Sequence, residues 1–402
     1  MLEHYSELRK HLDNSPWERK HTLMILSVAS SFFLWGVILA IAPLVTTWYF
    51  IPPSADEYIL IASPVGLLLG NYIMGLLSDR FGRKPAYVLT LVPTAVGLLL
   101  ITLSFSWLPI AIGIFLSEFG IGGDETVSLS LMGEMLPLRH RGRAIVSISN
   151  IANISITLIS LLFLLQPRVS SSVFVEKEIF GAMVAVSLAI AIGSRFYLPE
   201  SERWAYLNRN GEGERPMNWL TFAALSLFAI TIIVGFPLTA LVIGPFQFPQ
   251  YTDTFEFLVT LAESVTGVVF GLLLAERISR KSGSLIAYTG GFVSILLIVL
   301  FLRSLTLALF LVILVVNGVF GEIGWAEREM LEPESFFTPR RGRAIGYVRM
   351  VGYAVYVVTI PLLARAGEFE YFVFTCAIFL LGFIGALLYF LGGRETRGIS
   401  LE

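Results

Sequence analysis

The sequence is poor in charge and in cysteine. Asp, Glu, Lys and Arg make up 14% of its 402 residues, whereas soluble domains carry about a quarter. So little charge excludes a water-soluble globular chain of this length. Cys376 has no second cysteine to pair with, which excludes an internal disulfide. The sequence also lacks Gly-rich phosphate loops, a nucleophile elbow and His-rich metal patterns, so we predict no enzyme and no bound cofactor or metal.

The apolar residues that dominate the chain come in long runs. The hydrophobic fraction is 55% and the mean hydropathy is +0.77. A helix needs about 20 mainly apolar residues to cross a bilayer. Most connections between the runs are short, so neighbouring helices must be antiparallel. We predict an all-α membrane protein with twelve transmembrane helices, at 22–48, 58–78, 85–105, 107–133, 144–166, 178–198, 219–243, 254–275, 284–302, 305–331, 344–365 and 369–391.

The longest polar stretch inside the chain divides these spans six and six. We predict that this stretch, 199–218, is a linker between an N-terminal lobe at 22–198 and a C-terminal lobe at 219–391. Residues 1–21 are polar and mixed in charge, and the apolar run after them is too long for a signal peptide, so we expect a cytosolic lead-in segment. Residues 392–402 are expected to form a cytosolic tail.

Basic residues are distributed unevenly over this topology. Of the 28 Lys and Arg residues, 22 lie on the side of both termini, and Arg328 and Arg349 lie inside predicted spans. The outer loops hold Arg168, Lys177, Arg303 and Arg365. Because Lys and Arg accumulate on the cytoplasmic side of membrane proteins, we predict that both termini and the linker are cytosolic in a protein of the cell membrane.

Charged motifs of the first half recur in the second. EMLPLRHRGRAI at 134–145 returns 200 residues later as ESFFTPRRGRAI at 334–345. Two weaker echoes keep the same order: GLLSDRFGRK at 75–84 with LLLAERISRK at 272–281, and PESER at 199–203 with RETR at 394–397. Such parallel repeats predict two related six-helix lobes, with the substrate site between them at mid-depth.

These motifs resemble those of a known family. GLLSDRFGRK at 75–84 resembles the signature loop of the major facilitator superfamily, and PESERW at 199–204 and RETRGISLE at 394–402 resemble the lobe-end motifs of its sugar porter branch. GIGGDE at 120–125 is similar to the Gly-Gly-Asp motif of phosphate:proton symporters, with Glu125 in place of their tyrosine. The seventh span lacks the Gln-Gln pattern of sugar recognition, and the first span lacks the carboxylate usual in proton-coupled members.

The resemblance implies a twelve-helix major facilitator fold and secondary active transport of a small polar solute by alternating access. It also implies a monomer in the lipid bilayer, with a small-molecule solute as its partner and no nucleic acid. Three functions stay open: proton-coupled symport of an organic or inorganic anion or a sugar, facilitative uniport of a sugar, and a non-transporting solute sensor. Carboxylates in the fourth span favour symport, with protons as the coupling ion.

Charged residues at the inner helix ends are candidates for a gate. Alternating access needs interactions that form in one state and break in the other, and interfacial ion pairs suit this role. We predict a cytosolic gate made of Gly75, Asp79, Arg80, Gly82, Arg83, Glu134, Arg141, Glu200 and Arg203 in the first lobe, and Glu276, Arg277, Arg280, Glu334, Arg341, Glu395 and Arg397 in the second.

The fourth span carries three carboxylates, and charge inside a membrane is a functional candidate because its insertion is costly. Asp124 lies ten residues from Glu134, which is ~15 Å along a helix and near the middle of a ~30 Å core. We predict that Asp124 or Glu125 binds a proton or cation, or else is the structural partner of a buried Arg. Glu118 is expected near the outer end as a solvated carboxylate.

Other spans supply further cavity candidates. Arg328 and Arg349 either neutralise Glu327, Glu329 or Glu332, or one of them binds an anionic substrate. Glu256 is expected at the outer rim, and most aromatic residues, including Trp35, are expected to face lipid or the interface. The remaining predicted cavity residues are Ser149 and Asn153 in the fifth span, Glu263 in the eighth, Trp325 and Glu327 in the tenth, and Tyr353 in the eleventh.

Overall fold

The computed structural model describes residues 2–46, 48–165, 173–210 and 217–401, and those ranges contain helices and no strand. The predicted outer-loop residue Arg168 and residues 211–216 of the predicted linker lie outside them. The N-terminal half contains α1 (Leu2–Asp13), α2 (Arg19–Val45), α3 (Asp56–Phe81), α4 (Arg83–Leu89), α5 (Leu91–Leu103), α6 (Trp107–Met135), α7 (Arg141–Ser149), α8 (Ile151–Leu165), α9 (Val173–Phe196) and α10 (Glu202–Asn210). The C-terminal half contains α11 (Trp219–Phe236), α12 (Ile243–Gln247), α13 (Thr252–Val269), α14 (Arg280–Phe301), α15 (Leu307–Ser335), α16 (Arg341–Leu363) and α17 (Glu368–Gly392).

The predicted all-α membrane fold is confirmed. Eleven helical segments within the described ranges are long and apolar enough to cross a membrane. The remaining predicted span is α6, which is 29 residues long but carries Glu118, Asp124 and Glu125 in its middle, and these acids lower its hydropathy. The chain is therefore a multi-pass membrane protein.

Several spans consist of two helical pieces. The pair α4 and α5 continues through Thr90, where Pro93 has no N–H to donate to the carbonyl of Leu89. Asn150 joins α7 to α8 in the same way, with helical backbone angles. Pro237 begins a π-helical turn, Pro237–Leu241, that widens the helix between α11 and α12. Such turns are frequent at functional sites, and this one borders the cavity described below.

The two lobes meet along two helix pairs, α3 with α16 and α8 with α13. Glycine allows the first pair to approach closely. A Cβ added at Gly75 would lie 2.6 Å from the carbonyl oxygen of Gly342, so the two backbones are in direct contact there. Small residues are the usual means of packing helices inside a membrane, where no hydrophobic force drives them together.

Candidate functional site

Arg83, the first residue of α4, organises one end of the N-terminal lobe. Its buried guanidinium pairs with Asp79 at 2.5 Å and with Glu134 at 3.0 Å. Its backbone N–H donates to Glu200 at 3.0 Å. The turn that presents these groups requires Gly82, whose φ is +113°. We call this the basic end of the bundle, the end with the Arg-rich loops and both termini.

The C-terminal lobe repeats this arrangement. Arg280, the first residue of α14, pairs with Glu334 at 3.1 Å, and its backbone N–H donates to Glu395 at 3.0 Å. Arg397 then donates to the carbonyl of Arg277. The sequence repeat is therefore a repeat of hydrogen-bond geometry as well.

Several contacts cross between the lobes at the basic end. Asp79 of α3 accepts from the backbone N–H of Gly342 at 3.0 Å and of Arg343 at 2.9 Å, and from the Arg343 guanidinium at 3.1 Å. Glu134 of α6 pairs with Arg341 of α16 at 2.7 Å. Asp79 thus bonds to the backbone at the start of α16, and Glu134 pairs with the side chain of Arg341, the first residue of α16.

Two further gate candidates lie at the edge of this network. Glu276 accepts from the backbone N–H of Arg143 at 3.2 Å, which is the counterpart of the contact of Asp79 with α16. Arg80 is exposed, and its guanidinium lies over the ring of Phe81 at 5.3 Å.

The N-terminal segment supplies an acid that sequence reasoning missed. Asp13 is buried, and it accepts from Arg203 at 2.6 Å, from Arg141 at 2.9 Å and from the Ser400 hydroxyl near the C-terminus. Burial opposes its ionisation, but Arg203, Ser400 and Arg141 hold the pKa of this carboxyl below its usual range. The stability it contributes is present above the unfolded-state pKa and is lost as pH falls through the folded-state pKa. A lone acid in a polar segment carries no pattern that would have revealed it.

A buried ion cluster joins the two lobes. We call it the interlobe ion cluster: Glu125 of α6, Arg328, Glu329 and Glu332 of α15, and Arg349 of α16. Arg349 pairs with Glu329 and Glu332, each at 2.7 Å, and with Glu125 across the lobes. Arg328 pairs with Glu329 at 2.8 Å and Glu332 at 3.3 Å. Three carboxylates face two guanidiniums, so neither Arg is left without an acid.

Asp124, although adjacent to Glu125, belongs to a different network. It pairs with Arg195 of α9 within the N-terminal lobe. Arg195 also donates to the Tyr87 carbonyl at 2.6 Å and to the Thr90 hydroxyl at 2.7 Å. A structural pair with a buried Arg is the second of the two roles that the sequence left open for Asp124. Arg195, counted among the inner-side basic residues, is buried in its lobe.

A cavity lies between the lobes beside the interlobe ion cluster. Trp35 of α2 and Trp325 of α15 meet edge to face in its wall, with ring centroids 5.7 Å apart. Its polar lining consists of Asn153, Thr231, Thr239, Glu263, Asn317, Glu322, Arg328, Tyr353 and Tyr356.

The chain, which has two repeated lobes and a cavity between them, also matches the model of a protein family. The family model described as Major Facilitator Superfamily matches residues 23–326, which include both copies of the repeated loop motif, 75–84 and 272–281. The chain belongs to the Major Facilitator Superfamily. It is therefore a transport protein for a small-molecule solute and not an enzyme.

Individual members of the superfamily resemble the chain over most of its length. It is 24% identical to the glucose transporter GlcP of Staphylococcus epidermidis, over 87% of this chain and 88% of that protein. It is 23% identical to the minor myo-inositol transporter IolF of Bacillus subtilis, over 85% of this chain and 81% of that protein. Among solved structures, the proton:xylose symporter XylE of E. coli, bound to 6-bromo-6-deoxy-D-glucose, superposes with a TM-score of 0.73 at 15% identity, over 94% of this chain and 97% of that one. The predicted likeness to sugar porters is thus confirmed.

Half of the predicted cavity residues of this superfamily member line the cavity. They are Asn153, Glu263, Trp325, Arg328 and Tyr353. Glu125 and Arg349 lie next to them in the interlobe ion cluster, where the Tyr353 hydroxyl donates to Glu125 at 3.5 Å.

Three other predicted residues lie outside the cavity wall. Ser149 is buried at the end of α7, and Asp124 faces Arg195. Glu327 points toward α14, where a Cβ at Gly283 would lie within 2 Å of its carboxylate, so it takes no part in neutralising Arg328 or Arg349. Its neighbours along α15, Arg328 and Glu329, face other directions, about 100° and 200° around the helix from Glu327.

The expectations about the exposure of Glu118 and Trp35 were wrong. Glu118 is buried and accepts a hydrogen bond from Ser63 of α3 at 2.9 Å. Glu256, which was expected at the outer rim, is also buried and accepts a hydrogen bond from Ser160 of α8 at 2.8 Å. Trp35 faces the cavity and not the lipid. Depth along a helix was inferable for all three, but which side of the helix faces protein depends on the packing of the lobes.

Two functional candidates were present in the sequence but not selected. Glu322 lines the cavity and accepts from the Asn153 amide at 2.7 Å. Asn150, part of a polar run in the fifth span, is buried beside it. The run itself was the signal, because amides are costly inside a membrane helix unless they meet a polar partner.

Proposed function

We propose that the protein is a proton-coupled symporter of a neutral polyhydroxy solute, a sugar or a cyclitol, and that it works by alternating access in the cell membrane. The observation that carries the solute class is the charge of the cavity wall. Arg328 is the one cation among the described lining residues, and it already forms ion pairs with Glu329 and Glu332. An anionic solute would have to compete with both carboxylates, whereas hydroxyl groups can bond to the amides and acids of the wall without displacing an ion pair.

The form of the cavity supports the same solute class. Pockets that recognise small molecules combine apolar and aromatic walls with a few placed polar groups. Trp35 and Trp325 offer flat faces to the C–H side of a ring, while Asn153, Asn317 and Tyr353 offer donors and acceptors to its hydroxyls. A site built around hydroxyl contacts discriminates strongly against molecules that lack them, because its buried polar groups are then left unpaired.

Two relatives fit this proposal, a glucose transporter and a myo-inositol transporter. The sequence left an anion open as the solute, with Arg328 or Arg349 as the residue that would bind it. The ion pairs of these two residues remove the reason for an anionic solute. Phosphate and organic acids are therefore the comparison solutes in the assay below.

Uptake into proteoliposomes tests the proposal. With an inside-alkaline pH gradient, we expect labelled D-glucose or myo-inositol to accumulate by up to about tenfold per pH unit for one coupled proton, because tenfold corresponds to ~1.4 kcal/mol. We expect no accumulation of phosphate. Entry that stops at equal concentrations would indicate uniport. Accumulation of phosphate and neither polyol would overturn the solute class, and specific binding without uptake would indicate a sensor.

The proposed orientation has its own test. In a Cys376→Ser background, Arg209→Cys in α10 reports on the basic end, and Glu57→Cys at the start of α3 reports on the opposite end; both side chains are exposed. Because basic residues favour the cytoplasmic side, we expect an impermeant maleimide applied to intact cells to label Glu57→Cys and to leave Arg209→Cys unlabelled until the cells are opened. The reverse pattern would place both termini outside.

A further inference from the structure

The cavity wall contains two acids, one on α13 and one on α15, and each packs against a glycine of the other helix. The Glu263 carboxylate of α13 lies against Gly321 of α15, where an added Cβ would be 3.7 Å from its Oε1. The Glu322 carboxylate of α15 lies against Gly267 of α13, where an added Cβ would be 2.4 Å from its Oε1. Each glycine leaves the space that the acid of the other helix fills.

Neither carboxyl is paired with a cation in the part of the chain that the structure describes. They are 4% and 2% exposed, so water does little to solvate a charge on either. Glu263 Oε2 is buried without a hydrogen-bond partner among the described residues. Arg328 lines the same cavity but is paired with Glu329 and Glu332, and the negative charge of Glu329 repels a charge on Glu322. Two adjacent buried negative charges without a counterion are strongly unfavourable, and a proton on one of them removes half of the charge.

Asn150 of the opposite lobe marks where that proton fits. Its amide N–H donates to the Ser264 carbonyl at 2.8 Å, which fixes the orientation of the amide group. Its Oδ1 is thereby turned away from Ser264, and it is buried with no donor among the described residues. Asn150 Oδ1 and Glu322 Oε1 lie 2.5 and 2.4 Å from the same point, the Cβ position of Gly267, so these two acceptor oxygens are at most 4.9 Å apart. A protonated Glu322 would supply the missing O–H donor.

We propose that Glu263 and Glu322 form the binding site of the coupling proton, with Asn150 as the acceptor for the protonated carboxyl. This inference rests on the proton-coupled transport proposed above. Binding adds one proton to the Glu322 carboxylate, and release returns it to water with no other bond made or broken. Because Asn150 belongs to the N-terminal lobe and both acids to the C-terminal lobe, a relative movement of the lobes separates the protonated acid from its acceptor. That movement links proton release to the change of access.

The site differs from the one that the sequence favoured. Asp124 lies on a neighbouring network, and its carboxylate pairs with Arg195 inside one lobe. A lobe that moves as a rigid body keeps that pair intact, so the surroundings of Asp124 would be the same whichever side of the membrane the cavity faces. The contact of Glu322 with Asn150 crosses between the lobes, so it changes with the side that the cavity faces.

Transport variants provide the first test. We expect Glu322→Gln and Glu263→Gln to lower the accumulation ratio of D-glucose or myo-inositol under an inside-alkaline gradient to unity, while exchange between equal pools persists at a measurable rate. Glu256→Gln is the matched control, because Glu256 is a buried acid of the same helix that is bonded to Ser160 and does not line the cavity; it should accumulate solute as the wild type does. Accumulation by both cavity variants, or its loss in Asp124→Asn alone, would overturn the proposal. A requirement for a sodium gradient in place of the pH gradient would also overturn it.

A second test needs no solute, so it separates this inference from the solute class. Infrared difference spectra of the purified wild type across a pH titration should contain a protonated-carboxyl C=O band that is missing in Glu322→Gln and present in Glu256→Gln. Size-exclusion profiles establish that each variant is folded. An unchanged band in folded Glu322→Gln and Glu263→Gln would refute the proton site even if glucose is transported. A missing band together with no glucose or inositol uptake by the wild type would support the site and refute the proposed solutes.

Discussion

Asp79→Asn is expected to slow solute uptake by at least tenfold while leaving the protein folded. Asp79 accepts three hydrogen bonds from Gly342 and Arg343 across the lobe boundary. Hydrogen bonds to a charged group contribute about 1.5–3 kcal/mol each, and asparagine offers a neutral and weaker acceptor. A net loss of only ~2 kcal/mol shifts the ratio of closed to open states at the basic end about 30-fold. A carrier that spends too long in one state completes few cycles.

A cysteine in the cavity measures this shift directly. Ala152 lines the cavity, so Ala152→Cys in the Cys376→Ser background is labelled from the basic end only when that end opens. We expect faster labelling with Asp79→Asn added. Arg80→Ala is the control, because Arg80 belongs to the same loop but is exposed and lies over Phe81; labelling and uptake should match those of the wild type. An Asp79→Asn protein with wild-type labelling and uptake would mean that these bonds do not set the equilibrium.

Arg349→Met is expected to destabilise the folded protein severely. Arg349 is fully buried and pairs with Glu125, Glu329 and Glu332. Its removal leaves three buried carboxylates with Arg328 as their single cation. Breaking a buried ion pair from one side typically costs about 3–5 kcal/mol. We expect a marked fall in the detergent melting temperature and in the yield of monodisperse protein.

Charge balance separates this effect from a loss of packing. Adding Glu332→Gln to Arg349→Met removes one of the stranded charges, so the double variant should recover part of the lost melting temperature. Arg365→Met is the matched control, because its guanidinium is 89% exposed and lies 3.8 Å from Glu57. Exposed pairs contribute about 0–1 kcal/mol. A double variant less stable than Arg349→Met would show that Glu332 is not held by charge in the cluster.

The spans and the repeat were accessible from the sequence because a bilayer constrains them one residue at a time. Each helix must be apolar over a fixed length, and each repeated motif lies at a helix end. Arg83, Glu134, Arg280 and Glu334 were predicted together as gate candidates because their motifs are repeated, and the structure shows which of them pair. Asp13 has no such counterpart, and its place between Arg141 and Arg203 depends on how the N-terminal segment folds back onto the lobe.

The sequence by itself determined that this is a multi-span membrane protein that resembles the Major Facilitator Superfamily, with acids and arginines inside its spans. It determined the position of each residue along its helix because residues advance by about 1.5 Å each. Only the tertiary structure decided which way each residue faces. Asp124 and Glu125 are neighbours in sequence and nearly equal in depth, yet one pairs with Arg195 inside its lobe and the other with Arg349 across the lobes. Glu322 and Asn150 lie 172 positions apart, and they meet because the packing of α8, α13 and α15 brings them to the same glycine.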